Sequence, residues 1–192
     1  MKFKIIFGII IPIILVIGLA IVASQGNVLE ERNFVSSINL EDIFDGARVR
    51  TSIKVGEINL KNDYFMGKRH ELPEFSTCLI DNDKEKGNMD AGEIRYSEGK
   101  RVREEGPFDN YDRYTSIELS SDEEKKIYVY LVPDYRFQRK NQIELLEEFE
   151  DYDELIIYDL DDSDYDYNSY DYECQGLHQK LMEESVRIKI NK

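Results

Sequence analysis

The sequence predicts a mainly β protein, an antiparallel β-sandwich with one or two short helices, set behind one N-terminal transmembrane helix. Three observations predict it. An uncharged apolar run extends from Ile5 to Ala23; short segments alternating apolar and polar residues recur after Phe34; and turn-forming clusters separate those segments.

The apolar run comes first. Its nineteen residues, at about 1.5 Å each, reach roughly 28 Å, close to the hydrocarbon thickness of a bilayer. Pro12 is tolerated in such a span because neighbouring groups satisfy the carbonyl it frees. Gly8 and Gly18 are too far apart for a close-packing helix pair motif. Lys2 and Lys4 precede the run, whereas Gln25, Gly26, Asn27, Glu30 and Glu31 follow it with Arg32 as the first cation beyond. The basic flank stays cytoplasmic. The expected organisation is therefore a cytoplasmic N-terminus (1–4), a transmembrane signal anchor (5–23), a juxtamembrane linker (24–33) and an extracytoplasmic acidic β-rich domain (34–192). The alternative is cleavage near Ser24, after Val22-Ala23, which would leave a secreted domain. The run is longer than the usual signal-peptide core of about 7 to 15 residues, which favours the anchor.

Beyond Phe34 the expected strands are Arg48 to Val55, Glu57 to Asn62, Phe75 to Ile80, Gly92 to Ser97, Arg113 to Leu119, Lys126 to Val132, Glu154 to Leu160 and Val186 to Ile190. Thr115, Ile117, Leu119 and Val186, Ile188, Ile190 show the period of a half-buried strand. Ile127 to Val132 is apolar on both faces, the signature of a central strand. Asn62-Asp63, Gly87-Asn88, Gly106-Pro107 and Pro133-Asp134 are the clearest breaks. Asn141 with Glu144 resembles a capping box, and Ile143, Leu145, Leu146 and Phe149 carry helical spacing, so a short helix is expected over Gln142 to Phe149. Leu177 and Leu181 suggest a second near Leu177 to Met182, with an edge strand as the alternative.

Charge narrows the partners. The chain carries a formal −15, and without Lys2 and Lys4 the remainder has 23 basic and 40 acidic residues. A phosphate ligand would meet net repulsion, so nucleic acid is excluded as the main partner. Cations or basic protein surfaces at the cell surface fit better. The stretch Glu147 to Glu173 holds 13 carboxylates, six tyrosines and no Lys or Arg. Within it Asp162, Asp164, Asp166, Asn168 and Glu173 fall at positions 1, 3, 5, 7 and 12 of a calcium-loop register, and hard oxygen donors at alternate positions suit calcium. Tyr167 occupies the place where an EF-hand needs Gly, and Leu155-Ile156-Ile157 before it reads as a strand. The expectation is a non-helical calcium site or a solvated acidic loop. A second acidic loop runs from Asp81 to Glu93.

The only cysteines, Cys78 and Cys174, are expected to form a disulfide, because the inferred compartment preserves such bonds. The alternatives are two unpaired thiols or a zinc or copper site built from His70, Cys78, Cys174 and His178. Tyr172-Glu173-Cys174 resembles the tyrosine corner of immunoglobulin-like domains, where a Tyr stands two residues before the second Cys. That resemblance implies an immunoglobulin-like sandwich at the level of architecture; the chain has no Trp to complete the pattern.

Catalytic motifs are absent. There is no Gly-x-Ser-x-Gly elbow, phosphate-binding glycine loop, His-Glu-x-x-His or Cys-x-x-Cys. The basic clusters Lys100-Arg101-Val102-Arg103 and Arg136, Arg139, Lys140 read as counter-charges. Three function classes fit: a membrane-anchored binding or structural module, an accessory subunit of a membrane complex, and a carboxylate-dependent extracytoplasmic hydrolase.

A calcium site makes a sharp prediction. Calcium should raise the melting temperature beyond the effect of sodium at equal ionic strength, since a ligand bound only by the native state stabilises it by mass action. Replacing Asp162, Asp164 and Asp166 together with Asn should abolish that increment. Equal stabilisation by the two salts would leave only a solvated acidic face.

Overall fold

The computed structural model describes residues 27–39, 44–45, 48–49, 52–83, 85, 87–99, 115–133, 147–159 and 185–192. Their strands are β1 (Leu29–Phe34), β2 (Ser37–Asn39), β3 (Phe44–Asp45), β4 (Arg48–Val49), β5 (Ile53–Asn62), β6 (Lys68–Glu71) and β7 (Phe75–Ile80). There follow β8 (Met89–Asp90), β9 (Gly92–Ser97), β10 (Ser116–Leu119), β11 (Glu123–Pro133), β12 (Glu154–Asp159) and β13 (Val186–Asn191). Residues 147–150 are helical, at the end of the expected helix. Among the described residues no helix is long and apolar enough to cross a membrane; the Ile5 to Ala23 run and the Leu177 to Met182 segment lie outside them.

The chain is mainly β with antiparallel sheets. A four-stranded sheet has the order β1-β5-β11-β9, a five-stranded sheet the order β2-β13-β12-β7-β8, and β6 with β10 and β3 with β4 make two-stranded sheets. One pairing departs from the expected antiparallel pattern. β2 runs parallel to β13, with Ile38 opposite Ile190.

Strand β11 is central, as its doubly apolar sequence predicts: β5 and β9 pair on either side. Ile127, Val129 and Leu131 are buried with Ile58 and Leu60 of β5 and with Leu79, Leu155, Ile157 and Ile188 of the five-stranded sheet in one hydrophobic core. Successive strand residues point to opposite faces. Cys78, Ile80, Ile156 and Tyr158 therefore lie on the other face of the five-stranded sheet, where they form a second buried cluster.

The strand expected over Arg48 to Val55 divides, with Arg48–Val49 in β4, while its Ile53–Val55 end joins the strand expected after Gly56 to make β5. Ile53 and Val55 are buried, then Ile58 and Leu60, so the inward phase slips by one residue between them. A bulge absorbs the slip: β11 pairs Val129 with Gly56 but Tyr130 with Lys54, passing over Val55. The slip reads as a break in the sequence because alternation alone cannot distinguish a bulge from a turn. Strand β1 likewise begins at Leu29, inside the stretch expected to be linker.

The chain changes sheets at tight corners. β8 pairs with β7 in the five-stranded sheet and β9 with β11 in the four-stranded one, so the step from Asp90 to Gly92 is the crossing. Gly92 has φ 138°, open to glycine alone without strain. Its N–H is held by Asp90 Oδ1 at 3.0 Å, and Thr77 Oγ1 donates to its carbonyl at 2.7 Å.

Gly56 permits β1 to approach the bulge. A Cβ there would stand 2.7 Å from the Asn33 carbonyl oxygen and 2.8 Å from Phe34 Cδ1. Gly56→Ala should cost about 1–3 kcal/mol through the backbone shift it forces, measured from the urea midpoint at constant m-value. Gly99→Ala, where a Cβ meets nothing within 4 Å, should stay within about 0.5 kcal/mol of the parent. Equal effects at the two positions would refute the role given to Gly56.

Candidate functional site

A polar constellation that joins distant parts of the chain sits where edge strand β1 meets the five-stranded sheet. Glu30 and Arg32 are two apart and so share one face of β1 with Phe34. Their register partners are Leu60 and Ile58, both core residues, so this face turns inward at the sheet's edge. Charged residues facing inward on an edge strand protect it from pairing with another chain.

Here each finds a partner. Arg32 Nη1 donates to Asp159 Oδ2 of β12 at 2.7 Å, and its Nε donates to Glu30. Glu30 Oε2 lies 2.6 Å from His70 Nε2 of β6. The guanidinium stacks over Phe75 of β7 at 5.4 Å, and Phe75 meets Phe34 edge-on at 5.6 Å. Burial works against the Arg32 charge, yet hydrogen bonds to Asp159 and Glu30 outweigh it and raise the guanidinium above its ordinary value. Nearby, Tyr96 donates to the Pro73 carbonyl at 2.5 Å. Burial first, and the Asp159 charge second, push its phenol far up and keep it neutral. The cluster joins β1, β6, β7 and β12. Its ion pairs and hydrogen bonds clasp β1 to β12 of the five-stranded sheet and to β6.

Of the residues singled out in the sequence, His70 and Cys78 are described, and they have separate surroundings. His70 binds Glu30, while Cys78 is fully buried beside Ile80, Ile156 and Tyr158. Cys174, His178, Asp162, Asp164, Asp166, Asn168 and Glu173 lie outside the described residues, as do both basic clusters. Among the described residues no group of three or more His, Cys, Asp or Glu side chains is placed to hold a metal.

The acidic stretch has counter-charges that its own sequence does not contain. Lys192 reaches Asp153 at 3.2 Å, Arg187 reaches Glu154 at 2.8 Å and Arg32 takes Asp159. These cations come from β1, β13 and the residue after β13. Reading the stretch alone missed them; the alternation of Arg187 and Lys189 with buried Ile188 and Ile190 was the available signal. The Asp81 loop is also anchored, with Asn82 N donating to Asp153 Oδ2 at 3.0 Å and Asp83 N to Asp81 Oδ1 at 2.8 Å.

On the four-stranded sheet, Glu98, Gly99, Glu124, Lys125, Lys126 and Tyr128 surround an open depression of about 300 Å³. Its charges are paired: Lys126 with Glu57 at 3.0 Å, Lys61 with Glu124 at 2.9 Å. It offers neither enclosure nor a converging set of donors, the marks of a small-molecule site. No protein-family model matches the chain, and neither curated proteins nor solved structures provide a match.

These pairs fix the sign of the response to acid. The Asn82 N–H and Lys192 lower Asp153 from 3.8, Lys126 lowers Glu57 from 4.5, and the Ser120 N–H lowers Glu123 from 4.5. Each group binds protons more weakly when folded, so its stabilisation is present above the unfolded value and is lost as pH falls through the folded one. Melting temperature followed from about pH 7 to about pH 3 should therefore decline below about pH 4.5. Asp153→Asn should lessen the slope of that decline. An unchanged slope would show that Asp153 is not among its sources.

Proposed function

We propose that the chain is a single-pass membrane-anchored module that displays a small acidic β-sandwich outside the cytoplasm, for binding or structural support of partners there. The carrying observation is the apolar run from Ile5 to Ala23 with Lys2 and Lys4 ahead of it. Strand β1 supports it by starting at Leu29, which leaves a short tether and holds the domain at the membrane surface. The sandwich part of the proposal rests on the core that the four- and five-stranded sheets share.

A Cys78–Cys174 disulfide belongs to the same reading. Cys78 lies outside the shared core, so the proposed bridge ties the 160–184 segment to the outer face of the five-stranded sheet. An immunoglobulin-like domain instead places its bridge between facing sheets. The closed loop of about 100 residues would add roughly 4–5 kcal/mol in the chain-entropy model. Calcium at Asp162, Asp164, Asp166, Asn168 and Glu173 is the proposed ordering ion for that segment, on the spacing of its oxygen donors.

One experiment tests topology and bridge together. Protease added to intact cells or spheroplasts should release peptides from the region beyond residue 24, and mapping them without reduction should recover the Cys78 and Cys174 peptides linked. Protection until lysis would overturn the orientation. Accessible but unlinked peptides, each alkylated, would remove the disulfide and leave the anchor.

A further inference from the structure

Exposed large hydrophobic side chains are few among the described residues, and they gather at one end of the four-stranded sheet. Phe65 is 98% exposed, Met66 64% and Leu29 59%. Leu29 opens β1 opposite Lys61, and β5 ends one residue later at Asn62. Phe65 and Met66 stand in the turn that follows.

The turn is built to hold them there. Asn62 is fully buried, and its Nδ2 donates to the carbonyls of Met66, Leu119 and Ser120 at 3.2, 3.4 and 2.8 Å. Its Oδ1 accepts the Tyr64 N–H at 3.3 Å. One side chain thus fastens the turn to the end of β10. Gly67 lets it lie close, since a Cβ there would come within 3.1 Å of the Leu119 carbonyl oxygen. A preorganised apolar tip loses little conformational freedom on burial, whereas a floppy one loses much.

The direction of the chain identifies the occupant. Val28 already packs against the core, so only Ser24 to Asn27 separate it from the end of the apolar run at Ala23. Five steps of at most about 3.6 Å span no more than about 18 Å. The end carrying Leu29, Phe65 and Met66 therefore faces the surface into which the chain's anchor would pass. Charge selects among lipids. Lys61 is neutralised by Glu124 at 2.9 Å and by Asp63 at 3.7 Å, and the chain as a whole carries −15, so attraction to anionic headgroups is not the source of affinity. Half-buried Tyr64, with Lys68 Nζ 6.0 Å from its ring centre, suits the boundary between headgroups and acyl chains, where aromatic rings settle and lysines extend toward water.

We propose that Leu29, Phe65 and Met66 form a membrane-seating tip that inserts into the headgroup–acyl boundary of a zwitterionic bilayer and fixes the domain's orientation on it. The proposal rests on the membrane-anchored reading. The chain lacks Trp, so Phe65→Trp introduces a single reporter at a site exposed enough to accept it, with Met66→Trp as an independent second. Ser36→Trp, at an exposed site two residues beyond the end of β1 farthest from Leu29, is the distal control, since β1 alone spans about 17 Å.

Full-length variants would be reconstituted in phosphatidylcholine vesicles and floated after a carbonate wash. In vesicles brominated near the headgroup end of the acyl chains, Trp at 65 or 66 should emit blue-shifted light about two-fold weaker than in unbrominated vesicles, while Trp at 36 is unaffected. Flotation with water-exposed, unquenched Trp at both tip positions overturns the tip and leaves the anchor standing. A blue shift without quenching assigns the tip to a second copy of the chain and also overturns it. Quenching at 36 as well refutes the orientation. Loss of carbonate-resistant flotation overturns the anchor, and the tip with it.

Discussion

Burial of β5 and β11 against β7, β12 and β13 is the constraint on which everything else in the molecule depends. Ile58, Leu60, Ile127 and Val129 from one sheet and Leu79, Leu155, Ile157 and Ile188 from the other are all within 1% of complete burial. Each such side chain contributes about 1.5–3 kcal/mol, while an exposed ion pair contributes about 0–1 kcal/mol. The core therefore decides the fold, and the pairs on the sheet surfaces tune it. The sheet-switching corner at Gly92, the bulge at Gly56 and the clasp around Arg32 are local solutions to keeping that core closed.

The strands that bury one face were legible because apolar side chains recur at period two. Gly92–Ser97, with Ile94 and Tyr96 alternating with Glu93 and Arg95, was expected with the bounds it has; so was Phe75–Ile80, although it buries Leu79 on one face and Cys78 and Ile80 on the other, and β11's central place followed from its two apolar faces. β1 was not legible. Its inward positions carry Arg32 and Glu30, whose partners, Asp159 and His70 respectively, lie 127 and 40 residues away. A polar residue that faces inward because of a remote partner looks like a solvent-exposed one in sequence. The same physics hid the clasp: neither His70 nor Asp159 stands near the other in the chain, and pairing across sheets leaves no spacing to recognise. Short β2, β6 and β8 are defined by the neighbours they pair with, and their own residues lack a distinguishing period.

Charge density along the chain and charge density in space are different quantities here. The segment from Lys140 to Lys180 has no internal cation, yet Asp153, Glu154 and Asp159 sit opposite Lys192, Arg187 and Arg32. The five-stranded sheet aligns β12 with the basic strand β13, and β1 of the four-stranded sheet brings Arg32 to Asp159, so that a repulsion which the linear sequence overstates is moderated. Such a design keeps the protein strongly acidic overall without leaving β12 to bear like charges on both flanks.

The parallel pairing of β2 with β13 imposes an order on assembly. Asn39 and Asn191, hydrogen-bonded to each other, are 152 residues apart, and Ile38 and Ile190 beside them are both buried in the core. A chain emerging from its N-terminus carries β2 early and without a mate; the five-stranded sheet closes only once β13 arrives. Contacts of such long sequence separation make folding slow, and until closure the β2 edge and the far side of β12 are open to foreign strands. Truncation just before Val186 would thus remove the shared neighbour of β2 and β12 and leave the nascent domain in the state most dependent on chaperones.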